Sequence, residues 1–138
     1  MDRLHDTLKD LGSALHTKAG TVSDKDIKAA EKQLDIEFGS EMKEFLLKYG
    51  SISYKSVELY GLGFTDDYYL NIVAATKELR EMGLPKEYLP IYNIGDGYYA
   101  VVSESDEVYE WAYHEDKIDR KIAKSLSDFI VRLIKAAN

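Results

Sequence analysis

The chain has 138 residues, 45% of them hydrophobic and 31% charged, which suits one globular domain with a single sizeable core. It contains no cysteine, so disulfides, thiolate metal sites and a cysteine nucleophile are excluded. Its 25 acids against 18 bases, a formal net charge of −7, disfavour direct contact with nucleic acid and favour a basic partner.

The amino terminus is charged and amphipathic where a secretory signal would be apolar. No segment approaches the roughly 20 apolar residues of a membrane span. A cytoplasmic location away from membranes is therefore expected.

Leu4, Leu8, Leu11 and Leu15 fall on one stripe and predict an N-terminal helix reaching about Lys18, within residues 1–20. Ser23 with Asp26 is a variant capping box, and Ile27, Ala30 and Leu34 share a face, so a second helix is predicted from about Asp24 to Leu34. Ser40 is the predicted cap of a third helix, with Glu41 in its first turn, Met42, Phe45, Leu46 and Tyr49 on its apolar face and Gly50 as its stop.

From Ile52 the period changes. Val57–Phe64 has strand composition interrupted by Gly61 and Gly63, and Thr65-Asp66-Asp67 is turn-like. Helical spacing returns from Asn71 to Met82 and ends at Gly83. Pro85 starts a short turn, and beyond Pro90 an edge strand is predicted over Ile91–Ile94.

Tyr98–Val102 and Val108–Tyr113 are rich in aromatic and β-branched residues, and SESDE between them supplies turn formers, so an antiparallel meander is expected. Alternation sets Tyr109, Trp111 and Tyr113 on one face and Val108, Glu110 and Ala112 on the other, one face against the core and one wet and acidic. Lys117–Lys124 looks like a basic linker. Ser125 with Asp128 then caps a last helix whose stripe is Leu126, Phe129, Ile130, Leu133 and Ile134. The order predicts an α+β single domain, mainly antiparallel sheet flanked by helices, with no βαβ unit.

The charge is local. Between Glu87 and Asp116 there are eight acids, no Lys or Arg, six of the 11 tyrosines and the only tryptophan; the rest of the chain has 17 acids against 18 bases. Consecutive tyrosines on a strand cannot both point inward, so at least one of Tyr98 and Tyr99, and at least one of Tyr68 and Tyr69, should face out. Exposed aromatics ringed by carboxylates suit a basic protein partner. The candidate partner-binding residues are accordingly Asp96, Tyr98, Tyr99, Glu104, Asp106, Glu107, Glu110, Tyr113, Glu115 and Asp116, extended by Asp66, Asp67 and Tyr68.

No cofactor or metal is expected. His5 and His16, eleven positions apart on one predicted helix, would lie roughly 16 Å apart, and His114 has no second histidine at zincin spacing. No serine sits in a nucleophile elbow, and Gly95-Asp96-Gly97 is neither a Walker loop nor a dinucleotide fingerprint. The enzymatic alternative is a carboxylate pair for glycoside hydrolysis, Glu107 with Glu110 or Asp66 with Asp67, but neither is singled out from the many acids around it.

Five stretches in order, SDKDIKAAEKQLDIEF with MKEFLLKYGS, ELYGLG, LPIYNIGDGYYAVV, DEVYEWAYHE and SLSDFIVRLI, resemble the SUKH superfamily over residues 23–136. That superfamily contains bacterial immunity proteins of polymorphic toxin systems and fungal cell-wall-synthesis regulators. Its members carry a helix with a Glu, here Glu31, followed by a Leu-Pro pair where this chain has Phe38-Gly39, so a different approach to the next helix is expected. The resemblance implies a non-enzymatic cytoplasmic antitoxin that binds and blocks a cognate toxin domain, often a nuclease, with a regulatory or scaffold module as the alternative. It carries no fixed set of toxin-binding residues.

Overall fold

The computed structural model describes residues 1–138. The first helix, α1 (Asp2–Lys9), is short: Gly12 adopts φ 57° in a 3-10 turn over Gly12–Ala14, and the chain then extends into β1 (His16–Thr17). The predicted helix to Lys18 is thus cut at half its length, because a left-handed glycine cannot continue a right-handed helix cheaply. Only Leu4 and Leu8 of the leucine stripe are fully buried, and His16 lies on a strand.

The second helix, α2 (Asp24–Leu34), has the predicted bounds. Ser23 accepts from the Asp26 N–H while Asp26 accepts from the Ser23 N–H at 2.9 Å, which completes the capping box. After it comes α3 (Ser40–Tyr49), whose N-cap position is Gly39 rather than Ser40. Met42, Phe45, Leu46 and Tyr49 are buried as predicted.

Residues 52–64 form less strand than their composition suggests: β2 (Ile52–Tyr54) and β3 (Val57–Glu58) pair, and β1 pairs with β2, giving a three-stranded antiparallel sheet. Beyond it, α4 (Ile72–Glu81) is capped by Asn71, whose side chain accepts from the Val73 and Ala74 N–H groups.

The second sheet has the order β4 (Leu89–Gly95), β5 (Tyr98–Val102), β6 (Val108–Ala112) and β7 (Ile118–Ala123), all antiparallel. The last of these replaces the predicted basic linker. Its run of Asp119, Arg120 and Lys121 hides the strand from composition, yet that charge is what an edge strand needs to resist pairing with another chain. A Leu59–Tyr92 bridge joins the two sheets.

The final helix, α5 (Leu126–Ala137), is capped by Ser125 and buries Leu126, Phe129, Ile130, Val131 and Ile134. It packs against α1, α3, β3 and β7 over the main core of 31 residues. Neither face of the four-stranded sheet is simply wet. Ala100, Val102 and Val108 belong to the main core, while Val101 and Trp111 on the other face pack with Leu79 and Leu84 below the end of α4. No helix is long and apolar enough to cross a membrane.

Candidate functional site

The meander brings the aromatic and acidic residues to two opposite ends. At one end Gly95, Asp96 and Gly97 all have positive φ, a conformation glycine and aspartate tolerate, and turn the chain from β4 into β5. The β6–β7 turn lies beside this hairpin. Its Tyr113 N–H donates to the Gly97 carbonyl at 2.7 Å, the His114 N–H to Met82 at 3.0 Å, and the Trp111 indole N–H to the Glu115 carbonyl at 2.6 Å. Trp111 itself has no exposed surface. A buried core residue thereby holds an exposed turn.

Register assigns the faces. Tyr98 stands opposite Ala112 and Tyr99 opposite Trp111, so Tyr99 shares the Trp111 face with Tyr113, and Tyr98 projects on the other. Tyr113 is 38% exposed, Tyr98 39% and Ile94 43%, the three forming an apolar rim round the end of the sheet. Asp96, Glu115 and Asp116 are exposed there and take part in no ion pair. The predicted outward tyrosine of the 98/99 pair is Tyr98; of Tyr68 and Tyr69, both are exposed.

Glu78 of α4 joins this end and lies outside the acidic window of the sequence. Burial pushes the Tyr60 hydroxyl up to about 12, with Tyr99 and the Glu78 carboxylate adding to it. Burial likewise raises Tyr99, reinforced by Glu78 and then Tyr113. Both phenols stay protonated at neutral pH, Tyr60 within the core and Tyr99 half-buried beside the rim.

The remaining candidates lie elsewhere. Glu107 is bonded to Lys121 and accepts from the Tyr109 hydroxyl at 3.1 Å, and Glu110 pairs with Arg120 at 3.1 Å. Strand β7 therefore balances two acids from a window that itself holds no Lys or Arg. The Lys121 bond draws Glu107 below the usual carboxylate range. Glu104, exposed in the β5–β6 loop at the opposite end, borders a shallow hollow with Glu31, Asp35 and Glu37. Asp66, Asp67 and Tyr68 sit in a turn against Phe64, with the Phe64 and Tyr68 rings stacked at 4.6 Å.

Asp106 is not available for docking. It is buried, and its carboxylate accepts from the Glu41 and Met42 N–H groups at 2.9 and 3.0 Å, capping α3 from 65 residues away in sequence. A Cβ on Gly39 would come within 2.3 Å of Asp106 Oδ1. The glycine that replaces the family's proline is the space this carboxylate occupies, and Glu31 secures the same approach by accepting from the Phe38 N–H at 2.8 Å.

Asp106→Ala should cost about 2–3 kcal/mol, because it orphans helix N–H groups, one of them buried. Gly39→Ala should also destabilise by steric conflict, and in urea melts the double variant should lose clearly less than the two single losses added together. Burial raises the Asp106 carboxyl pKa, against the pull of its two N–H donors and with the Glu41 charge adding to the rise. Folding thus makes this acid harder to ionise. Its contribution is greatest when it is protonated and declines as pH rises from its unfolded value through the raised folded one. Asp106→Asn should remove that slope from the wild-type pH–stability curve.

No group of three or more His, Asp or Glu residues is arranged to hold a metal ion. The geometry defines a class: an α+β domain of two linked antiparallel sheets, with an acidic, aromatic rim.

The chain belongs to the SUKH_5 family, described as SMI1-KNR4 cell-wall, which it matches over residues 1–135. The match takes in α1, which lay outside the sequence resemblance. A protein of known crystal structure from Pseudomonas syringae pv. tomato shares the fold, with a TM-score of 0.75 and 20% identity over 92% of each chain. No curated protein matches the chain.

Proposed function

We propose that this protein is a non-catalytic, cytoplasmic immunity protein that neutralises a cognate toxin domain of basic charge, in particular a nuclease. Family membership supports the class. The observation that carries the site is the rim where Tyr113 and Tyr98 are exposed beside Asp96, Glu115 and Asp116, none of them ion-paired, with Trp111 holding the turn in place. A nuclease must be basic to grip phosphates, so unpaired carboxylates steer it in and exposed rings anchor it.

For the glycosidase reading, Glu107 is held low by Lys121 and so is unsuited to the proton-donor role, and Glu110 is paired with Arg120. The family's association with the cell wall favours a second reading, a regulatory module that docks a basic partner on the same rim.

Co-expression with a toxin encoded by a neighbouring gene separates the two. The immunity reading expects rescue of growth and a co-purified complex, whereas killing that continues with no complex overturns it.

A further inference from the structure

The acidic rim has a counterpart of opposite charge on the same chain. From Lys117 to Asn138 there are six bases and two acids, a local balance of +4 in a chain of −7, so the first 116 residues carry −11. Where α5 meets the outer strand β7, a hollow of about 280 Å³ is lined by the apolar side chains of Ile122, Phe129, Leu133 and Ala136, with Arg120 and Arg132 beside them and Glu110 against Arg120.

The two guanidinium groups are held in place and only partly used. Arg132 donates to the Ile122 carbonyl at 2.6 Å and takes part in no ion pair. Arg120 bonds Glu110 at 3.1 Å, one contact for a group that offers five N–H donors. Phe129 is buried, whereas Ile122 and Leu133 are half-buried. A small anion would leave these apolar side chains wet, and a hydrocarbon would desolvate Arg132 with no countercharge. Nucleic acid would be repelled by the rest of the chain. What fits is an aromatic side chain flanked by carboxylates, since guanidinium groups both pair with acids and stack on rings. That chemistry is present on the chain itself, in Tyr98 and Tyr113 beside the unpaired Asp96, Glu115 and Asp116.

We infer that the hollow receives the acidic rim of a second copy. One sheet carries both features, so a chain cannot place its rim in its own hollow. Tyr98 stands opposite Ala112 and Ala100 opposite Glu110, and Ala100 faces the main core with α5, so Tyr98 and Glu110 project on that same side. Two copies related by a two-fold axis can therefore exchange both contacts at once, each rim in the other's hollow. The contact is made by side chains, and the charged edge of β7 still resists strand pairing. An interface this small and charged should form reversibly and weaken with salt. It needs no partner but the chain itself, so it stands or falls apart from the toxin reading.

Sedimentation equilibrium of the whole protein tests it. At low salt the average mass should rise from the monomer's 15.7 kDa toward that of a dimer between about 10 μM and 1 mM protein, and the rise should vanish near about 0.5 M salt. Arg132→Glu, and Glu115→Lys with Asp116→Lys, should each weaken association tenfold or more. An equimolar mixture of these two variants should form a heterodimer, because the intact rim meets the intact hollow and the two reversed surfaces attract each other. Lys25→Glu on α2 makes the same change in net charge as Arg132→Glu and should leave association within about twofold. All four positions are exposed, and thermal melts report the folding of each variant. A monomer at every concentration, association undiminished by Arg132→Glu, or a mixture that stays monomeric overturns the inference.

Discussion

Trp111→Ala should destabilise the protein by about 3–5 kcal/mol, the range for truncating a fully buried large aromatic, and lower its melting temperature by roughly 10–20 °C. Trp111 fills the smaller core with Leu79, Leu84 and Val101, and its ring lies 5.8 Å from that of Tyr99. The site has little means to collapse, since α4 above it is fixed by its own packing on α2 and β4. Trp111→Phe keeps an aromatic ring but leaves a smaller void and loses the indole bond to the Glu115 carbonyl, which water can replace, so about 1–2 kcal/mol is expected. The Phe variant should nevertheless bind its partner less well, because the 113–116 turn loses its tether. Equal melting temperatures for the Ala variant and the wild type would show that this cluster is not packed as described.

The second large effect concerns the partner. Tyr113→Ala should weaken the complex with the cognate toxin domain by about 2 kcal/mol, some thirtyfold, as expected for an aromatic anchor at an interface centre. Reversing charge with Glu115→Lys and Asp116→Lys together should act mainly on association, slowing it tenfold or more at low salt, with the difference shrinking as ionic strength rises. Glu78→Lys should behave in the same way. Glu104→Lys, at the far end of the meander, carries the same charge change as Glu78→Lys and half that of the double variant, and should leave the rate within about twofold. Stopped-flow measurements across a salt series distinguish these outcomes, and a Glu104→Lys rate as slow as that of the double variant would remove the rim from its role.

Much of the helical part is visible in the residues themselves. Ser23 with Asp26 and Ser125 with Asp128 are local devices whose spacing is their geometry, and the stripe of α5 is unbroken, so these elements stand where periodicity puts them. What is not local is not legible. The carboxylate that caps α3 comes from a loop between two distant strands, and nothing near Ser40 announces it. Asp106 therefore looked like one more surface acid.

Strand β7 was obscured for a different reason. Its charged residues are spaced like those of a linker, and only its pairing with β6 reveals that Arg120 and Lys121 balance Glu110 and Glu107. The acidic window is real in sequence, yet five-residue strands separate its ends, so its acids are spread over two turns and strand β6 rather than forming one face. Glu78 reaches the rim because the β6–β7 turn docks on the end of α4, a tertiary contact no window along the chain can contain.

The most direct measurement is hydrogen exchange on the complex with the cognate toxin domain. Amides of residues 96–99 and 113–116, together with the last turns of α4, should exchange more slowly than in the free protein, while the 103–107 loop and the outer edge of β7 stay unchanged. Protection confined to that loop and edge, with the 113–116 turn exchanging as freely as before, would contradict the account.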